Sequence, residues 1–190
     1  MAAALTVGYA GAVPLVILAA FFTFFFRDPD RQSTANADVA VLAPADGRVL
    51  VAGPADPSAA PPGDWLQVSI FLSPMDVHVN RIPVSGRVTR VGYTRGRFLP
   101  AYRPEAAAAN ERSEIWIEHN GQTIVFRQLV GILARRVVCR VRAGAQLKAG
   151  ERVGLMKFGS RMDVFLPTSA QLRVSVGDRV IGGVTGIATL

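Results

Sequence analysis

The sequence predicts a mostly β domain, a compact barrel or sandwich, carried behind an N-terminal hydrophobic helix. Three observations predict it. No charged residue falls between Leu5 and Phe26, a Leu/Val/Ala/Phe-rich run that Arg27-Asp28-Pro29-Asp30-Arg31 stops abruptly. After residue 40 the chain reads as short apolar or alternating runs broken by Gly and Pro, with no long amphipathic helix. Glu114–His119 and Gln122–Leu129 flank Asn120-Gly121, and Asn-Gly favours the type I′ turn of a two-residue hairpin.

The N-terminal run comes first. Spanning hydrocarbon takes roughly 20 apolar residues, so the run is long enough for a membrane anchor. It is apolar all round rather than striped, which argues against a core helix. A cleaved signal peptide is the rival, and Ala35-Asn36-Ala37 offers a small-x-small site. No Lys or Arg precedes the run, however, and it is longer than a usual signal core. Arg27 and Arg31 flank its C-terminal side, so the positive-inside bias places the rest of the chain on the cytoplasmic face of the cell (inner) membrane. Pro14 can kink the helix, and an in-plane segment is the alternative to a spanning one. Residues 1–31 are therefore read as anchor and stop segment, residues 32–40 as a polar linker, and residues 41–190 as the β domain.

Within that domain Val39–Leu42 leads into the turn signal Pro44-Ala45-Asp46-Gly47 and then Arg48–Ala52. Pro54–Gly63 is Pro/Ala-rich and reads as a loop. Trp65–Leu72 and Gly86–Tyr93 alternate as strands. Phe98, Leu99 and Tyr102 lie in a Pro-rich stretch suited to a lid among lipid headgroups, and Arg103–Asn110 is expected to make a short helical turn. Gly131–Val141 is β-branched and reads as buried. Asp163–Leu166, Gln171–Val176 and Arg179–Ile181 are expected to complete the same sheet system. Ala149–Gly154 echoes Ser175–Gly182, a Gly-acid-x-Val pattern similar to the tight turns of lipoyl- and biotinyl-type β folds.

The chain has 190 residues and a net charge of +7, and a basic balance points to an anionic partner. Its aromatics cluster in the N-terminal run instead of alternating with Lys and Arg. An anionic phospholipid at a membrane is therefore expected, and no nucleic acid. Two histidines and the single Cys139 supply neither a ligand cluster nor an internal disulfide, so no metal is expected.

The chemistry is concentrated in Gly154-Leu155-Met156-Lys157-Phe158-Gly159-Ser160-Arg161-Met162-Asp163. Glycine leaves its carbonyl open to a neighbouring nucleophile and tolerates strain. The Ser160 hydroxyl can attack the Gly159 carbonyl and move the acyl group from nitrogen to oxygen. The ester then opens by β-elimination, and the dehydroalanyl end hydrolyses to a pyruvoyl group and ammonia. A pyruvoyl carbonyl can take a substrate amine as a Schiff base and accept electrons when CO2 leaves. A Gly-Ser dipeptide alone is ordinarily just a turn.

The surrounding residues resemble a known family. Gly150-Glu151-x-x-Gly154-x-x-Lys157-Phe158-Gly159-Ser160 resembles the maturation segment of the phosphatidylserine decarboxylases. Four further blocks are similar to that family in the same order: Phe25-Phe26-Arg27-Asp28-Pro29, Pro44-Ala45-Asp46-Gly47, Phe71-Leu72-Ser73-Pro74-Met75-Asp76-Val77-His78 and Asn110-Glu111-Arg112. The short length resembles the compact bacterial and archaeal branch.

The resemblance implies an enzyme that converts phosphatidylserine to phosphatidylethanolamine with a pyruvoyl cofactor derived from Ser160. It implies self-cleavage between Gly159 and Ser160 into residues 1–159 (the β chain) and 160–190 (the α chain), which stay together. A homo-oligomer is left open. Ser160 and Asp46 carry over from the family's self-cleavage triad. Its second His does not, because Arg81 stands there; Arg161 likewise stands where the longer enzymes have Thr.

The cleavage base is thus open between His78 and Asp46. His78 suits both phases, proton transfer in cleavage and proton donation after CO2 loss. Asp46 would orient it or take the Ser160 proton directly, and its bland reading is a turn cap. His119 is expected at an exposed hairpin end. Arg112 and Arg81 offer guanidinium forks for the substrate's phosphate and carboxylate, with Asn110 beside them. Lys157 is a speculative partner for the Gly159 oxyanion.

Two other readings compete: a biotinyl/lipoyl-type carrier domain modified at Lys157, and a membrane-bound Ser-Lys peptidase. The anchor and the ordered blocks have no place in a carrier. Gly159-Ser160-Arg161-Met162 also lacks the Gly-x-Ser-x-Gly pattern of a hydrolase elbow.

Overall fold

A computed structural model describes residues 2–33, 39–133, 137–156 and 159–190, with side chains from Gly11 onward. Lys157 and the site at Ala35–Ala37 lie outside the described residues. In chain order the elements are α1 (Ala2–Phe25), β1 (Ala40–Leu42), β2 (Gly47–Pro54), β3 (Leu66–Leu72), β4 (Val79–Arg81), β5 (Gly86–Thr94), α2 (Ala106–Ala109), β6 (Arg112–His119), β7 (Gln122–Leu129), β8 (Val138–Cys139), β9 (Gln146–Leu147), β10 (Arg152–Leu155), β11 (Ser160–Leu166), β12 (Gln171–Leu172), β13 (Arg179–Val180) and β14 (Gly186–Thr189).

Eight strands form one sheet in the order β13-β2-β3-β11-β7-β6-β5-β9, curled into a half-barrel. Two three-stranded sheets, β1-β14-β12 and β4-β10-β8, accompany it. The inward side chains follow the period of two that strand geometry requires. Val68, Ile70 and Leu72 of β3, Ile124 and Phe126 of β7, and Met162, Val164 and Leu166 of β11 all lie in one apolar core. The alternate residues of β11 face the other way, and charge pairing makes their burial tolerable. Arg161 donates to Asp163 at 2.6 Å and to Ser69 at 2.9 Å. Arg127 bonds Glu114 at 2.6 Å and donates to the Ala59 carbonyl of the overlying loop.

The predicted hairpin is β6–β7. Asn120 and Gly121 take φ values of 48° and 78°, the pair of positive angles a type I′ turn needs. The echoed turns are also built alike. Glu151 accepts the Lys148 N–H at 3.0 Å, and Asp178 accepts the Ser175 N–H at 2.8 Å. The glycine inside each turn is left-handed, Gly150 at φ 81° and Gly177 at φ 97°.

Three expectations need correction. The N-terminal helix is present, but among the described residues no helix is long and apolar enough to cross a membrane. Gly131–Val141 is not one buried strand. Among its described residues Ile132 and Leu133 are exposed, and the strand is Val138–Cys139, which pairs with β10 rather than with the main sheet. His119 is buried rather than exposed, because its Nδ1–H donates to the Ser85 carbonyl at 2.6 Å.

Candidate active site

Ser160 opens β11, opposite Leu72 on β3. Alternation along β11 puts its side chain on the core face with Met162, Val164 and Leu166. It is wholly buried, and its Oγ has no hydrogen-bond partner among the described residues. The residue before it, Gly159, is held at φ 73°, a left-handed conformation that glycine adopts without a Cβ penalty.

His78 follows the strand that pairs with Ser160. Ser160 lies opposite Leu72, and the turn 73–76 carries the chain from Leu72 to His78. The His78 carbonyl accepts the Met156 N–H at 3.2 Å, beside the segment that leads into Gly159-Ser160. On the ring, Nδ1 lies 2.8 Å from the Asp76 carbonyl. A carbonyl only accepts, so Nδ1 carries the proton and Nε2 keeps a lone pair. That Nε2 is buried and has no partner among the described residues. Burial, the largest influence, holds the His78 pKa below the ordinary 6.5, against the opposing pull of the Asp76 carbonyl. The imidazole is therefore neutral at neutral pH. The Phe25 ring, at the end of α1, packs on it with centroids 4.2 Å apart.

The other predicted site residues are held elsewhere. Asp46 forms a two-pronged pair with Arg31, at 2.5 and 2.9 Å, and accepts the Gly182 N–H at 2.8 Å. Its charge acts on His78 only as the weakest of several influences. The group that orients His78 is the Asp76 main chain. The Asp76 carboxylate is itself taken by Ser73, at 2.7 and 2.8 Å, and by Arg179 at 2.5 Å. Arg81 donates to the carbonyls of Gly150 and Pro29, both at 3.0 Å, and pairs with Asp28 at 3.2 Å. Asn110 accepts from Leu99 N–H at 3.0 Å and donates to the carbonyls of Leu99 and Val130 at 2.8 and 2.9 Å. Arg112 donates to the Ala108 carbonyl at 3.0 Å. Asp46, Arg81, Asn110 and Arg112 thus tie segments of the chain together.

One pair at this corner escaped the sequence reading. Gln128 donates to Asn80 at 2.8 Å, leaving Asn80 Nδ2 and Gln128 Oε1 buried without partners among the described residues. Gln128 lies opposite Met162, on the same face as Ser160. Its signal was a polar residue in the inward phase of β7, after Ile124 and Phe126. Nearby, a cavity of about 440 Å³ is lined by Phe26, Val79, Gly154 and Leu155, with Arg140 and Arg152. Among the described residues no group of His, Cys, Asp and Glu could hold a metal ion.

Comparison with known proteins adds the following. The family model for phosphatidylserine decarboxylase matches residues 18–188. A phosphatidylserine decarboxylase proenzyme of Solibacter usitatus (strain Ellin6076) is 43% identical over 190 residues, covering 98% of this chain and 89% of that one. A proenzyme of the same description from Prosthecochloris aestuarii (strain DSM 271 / SK 413) is 42% identical over 175 residues, covering 92% and 80%. Another from Wolbachia sp. subsp. Brugia malayi (strain TRS) is 43% identical over 173 residues, covering 88% and 75%.

Proposed function

Since the chain belongs to the phosphatidylserine decarboxylase family, we propose that it cuts itself between Gly159 and Ser160 and decarboxylates phosphatidylserine to phosphatidylethanolamine. The observation that carries the self-processing is Ser160: a buried hydroxyl without a partner among the described residues, directly after a left-handed glycine. His78 takes the Ser160 proton through Nε2, and Oγ attacks the Gly159 carbonyl carbon. The C–N bond breaks, the nitrogen takes a proton, and an ester links Gly159 to Oγ. Loss of the Ser160 Cα proton then breaks the Cβ–O bond and frees the Gly159 carboxylate. The dehydroalanyl end tautomerises, adds water and releases ammonia.

A base with a lone pair and a depressed pKa suits the first step. Asp46, with both oxygens engaged, suits it less and acts by seating Arg31. The pyruvoyl group supplies an electrophilic carbonyl that takes the substrate amine and accepts the electron pair released with CO2. His78 Nε2 is then the atom that returns a proton to the carbon that lost CO2.

Phospholipid reaches this corner from the α1 side. Residues 11–24 are exposed throughout, Leu15 at 68% and Ile17 at 64%, an apolar surface that lipid covers and water does not. Arg27 and Arg31 after it favour the cytoplasmic face of the inner membrane. Arg81, Arg112 and Asn110 are already bonded, and Arg152 is held by Asp28 and Asp30, so Arg140 at the cavity lined by Val79, Gly154 and Leu155 is the cation best placed for a lipid phosphate. The two chains, 1–159 and 160–190, stay together because β11 lies between β3 and β7.

The test is the intact mass of the purified protein, with CO2 release from phosphatidylserine vesicles measured on the same sample. Two chains split after Gly159 are expected, the smaller blocked to N-terminal sequencing, and a single inactive chain for Ser160→Ala. A wild-type chain that stays whole would overturn the proposal.

A further inference from the structure

Gly131 lies directly across from Gly159. The β7–β11 pairing ends at Arg161 opposite Leu129, and the two glycines lie just beyond it on either strand. A Cβ built on Gly131 would overlap the Gly159 carbonyl oxygen, far inside the 3.0 Å that real Cβ atoms essentially never breach. It would also lie 3.2 Å from that carbonyl's carbon and 3.5 Å from the Ala101 Cβ. Gly131 does not have a positive φ, so its backbone makes no demand for glycine. Only the approach of that one carbonyl does. Gly159 is the reverse case: its φ of 73° favours glycine, but a Cβ there would meet nothing within 4 Å.

Neither can the strand at Gly131 easily retreat. Leu129 is held in β7 against both β6 and β11. Val130 donates to the Glu111 carbonyl at 3.1 Å and accepts from Asn110 at 2.9 Å. Ala101, itself buried, packs behind. If a side chain appeared at 131, the carbonyl of Gly159 is the group that would move.

We propose that Gly131 is a positioning residue for self-cleavage: its missing side chain is what lets the scissile carbonyl rest where Ser160 Oγ can reach it. This rests on the reading of Gly159–Ser160 as the cut. A misplacement of about 1 Å in such an attack is worth about 10²-fold in rate.

The experiment compares full-length Gly131→Ala with Gly86→Ala. A Cβ on Gly86 would overlap the Glu118 carbonyl oxygen, an equal insult on the same sheet with no link to the scissile bond. Cutting is followed by gel and mass after synthesis, folding by thermal unfolding, and the ester by treatment with hydroxylamine. The expected Gly131→Ala protein is folded, is cut about 100-fold more slowly than wild type, and stays whole in hydroxylamine because the ester does not accumulate. Gly86→Ala is expected to be less stable yet cut to completion. Four results would each overturn the proposal. They are wild-type cutting of Gly131→Ala, equal slowing in both variants, hydroxylamine cleavage of Gly131→Ala at residue 159, and a Gly131→Ala chain that fails to fold where Gly86→Ala folds. A wild-type chain that never cuts would instead remove the reading beneath it.

Discussion

In the arm that joins α1 to the sheets, the charges are matched. Arg31 sits on Asp46, Arg81 on Asp28, and Arg152 on both Asp28 and Asp30. Around β11 several polar atoms are unmatched: Ser160 Oγ, His78 Nε2, Asn80 Nδ2 and Gln128 Oε1 are buried without partners among the described residues, while in the arm Arg81 Nε is the one such atom beside its ion pairs. A buried donor or acceptor left unmade costs about 1–3 kcal/mol. Native folds keep few such atoms, and where several gather a chemical use is the first explanation to test. The arm's charges are tied up in pairs, and under the proposed function the corner's unmatched atoms are where the chemistry would run. Asp46 belongs, by its contacts, to the first.

The largest break in that contrast should come from His78→Gln, which leaves the corner polar but removes its base. Cutting and CO2 release should both fall, by about 10²–10⁴-fold. Time courses of the two fragments and of CO2 check this, and a loss of CO2 release with normal cutting would confine His78 to the second phase.

Next in size is Asp46→Asn. It strands the Arg31 charge in a partly buried place, between the weak effect of a surface pair and the strong effect of a buried one. A loss of about 2 kcal/mol is expected, or about 4–8 °C in Tm, with cutting changed by no more than a few fold. Lost cutting at an unchanged Tm would move the base from His78 to Asp46.

The smallest effect sharpens the contrast by pH. Because burial lowers the His78 pKa, the imidazole stays neutral in the folded chain below the ordinary 6.5. The rate of cutting should therefore reach its half-value below pH 6.5 and fall in acid. Stability follows the same sign. The unfolded chain binds the extra proton first, so the contribution of His78 is full above 6.5 and fades as pH falls toward its folded pKa. In His78→Gln the pH dependence of both should flatten.

Much of the fold was legible because burial imposes a period of two: β3, β5, β6, β7 and β11 sit where alternation puts them, and Asn120-Gly121 marked its own turn. The β-branched stretch after Gly131 misled, since its residues form a two-residue pairing with β10 instead of a strand in the main sheet. Strands as short as β8 and β9 carry no period to detect, and the strand expected at Gln171–Val176 shortens to β12, which pairs with β14 outside the main sheet instead of completing it. At the site, Ser160 and His78 are proposed from their sequence neighbours and from their burial without side-chain partners for Oγ and Nε2 among the described residues. The pairing of Asp46 with Arg31 was not legible, because an ion pair 15 residues apart in sequence leaves no pattern. Gly131 was hidden for a related reason: a lone glycine says that something passes close, but only the register says which carbonyl.

The position of β11 has one more consequence. Its first residue is Ser160, and on either side it is hydrogen-bonded to a strand that precedes it in the chain. A break before Ser160 would leave both ladders closed, so the cut protein behaves as a heterodimer with an intramolecular look. Melting it would be a dissociation, and its midpoint would climb with protein concentration, while that of the uncut chain would not. Recovery after melting would be a second-order encounter between a 159-residue piece missing its middle strand and a short tail that carries it. The reaction that makes the enzyme would also make its unfolding harder to undo.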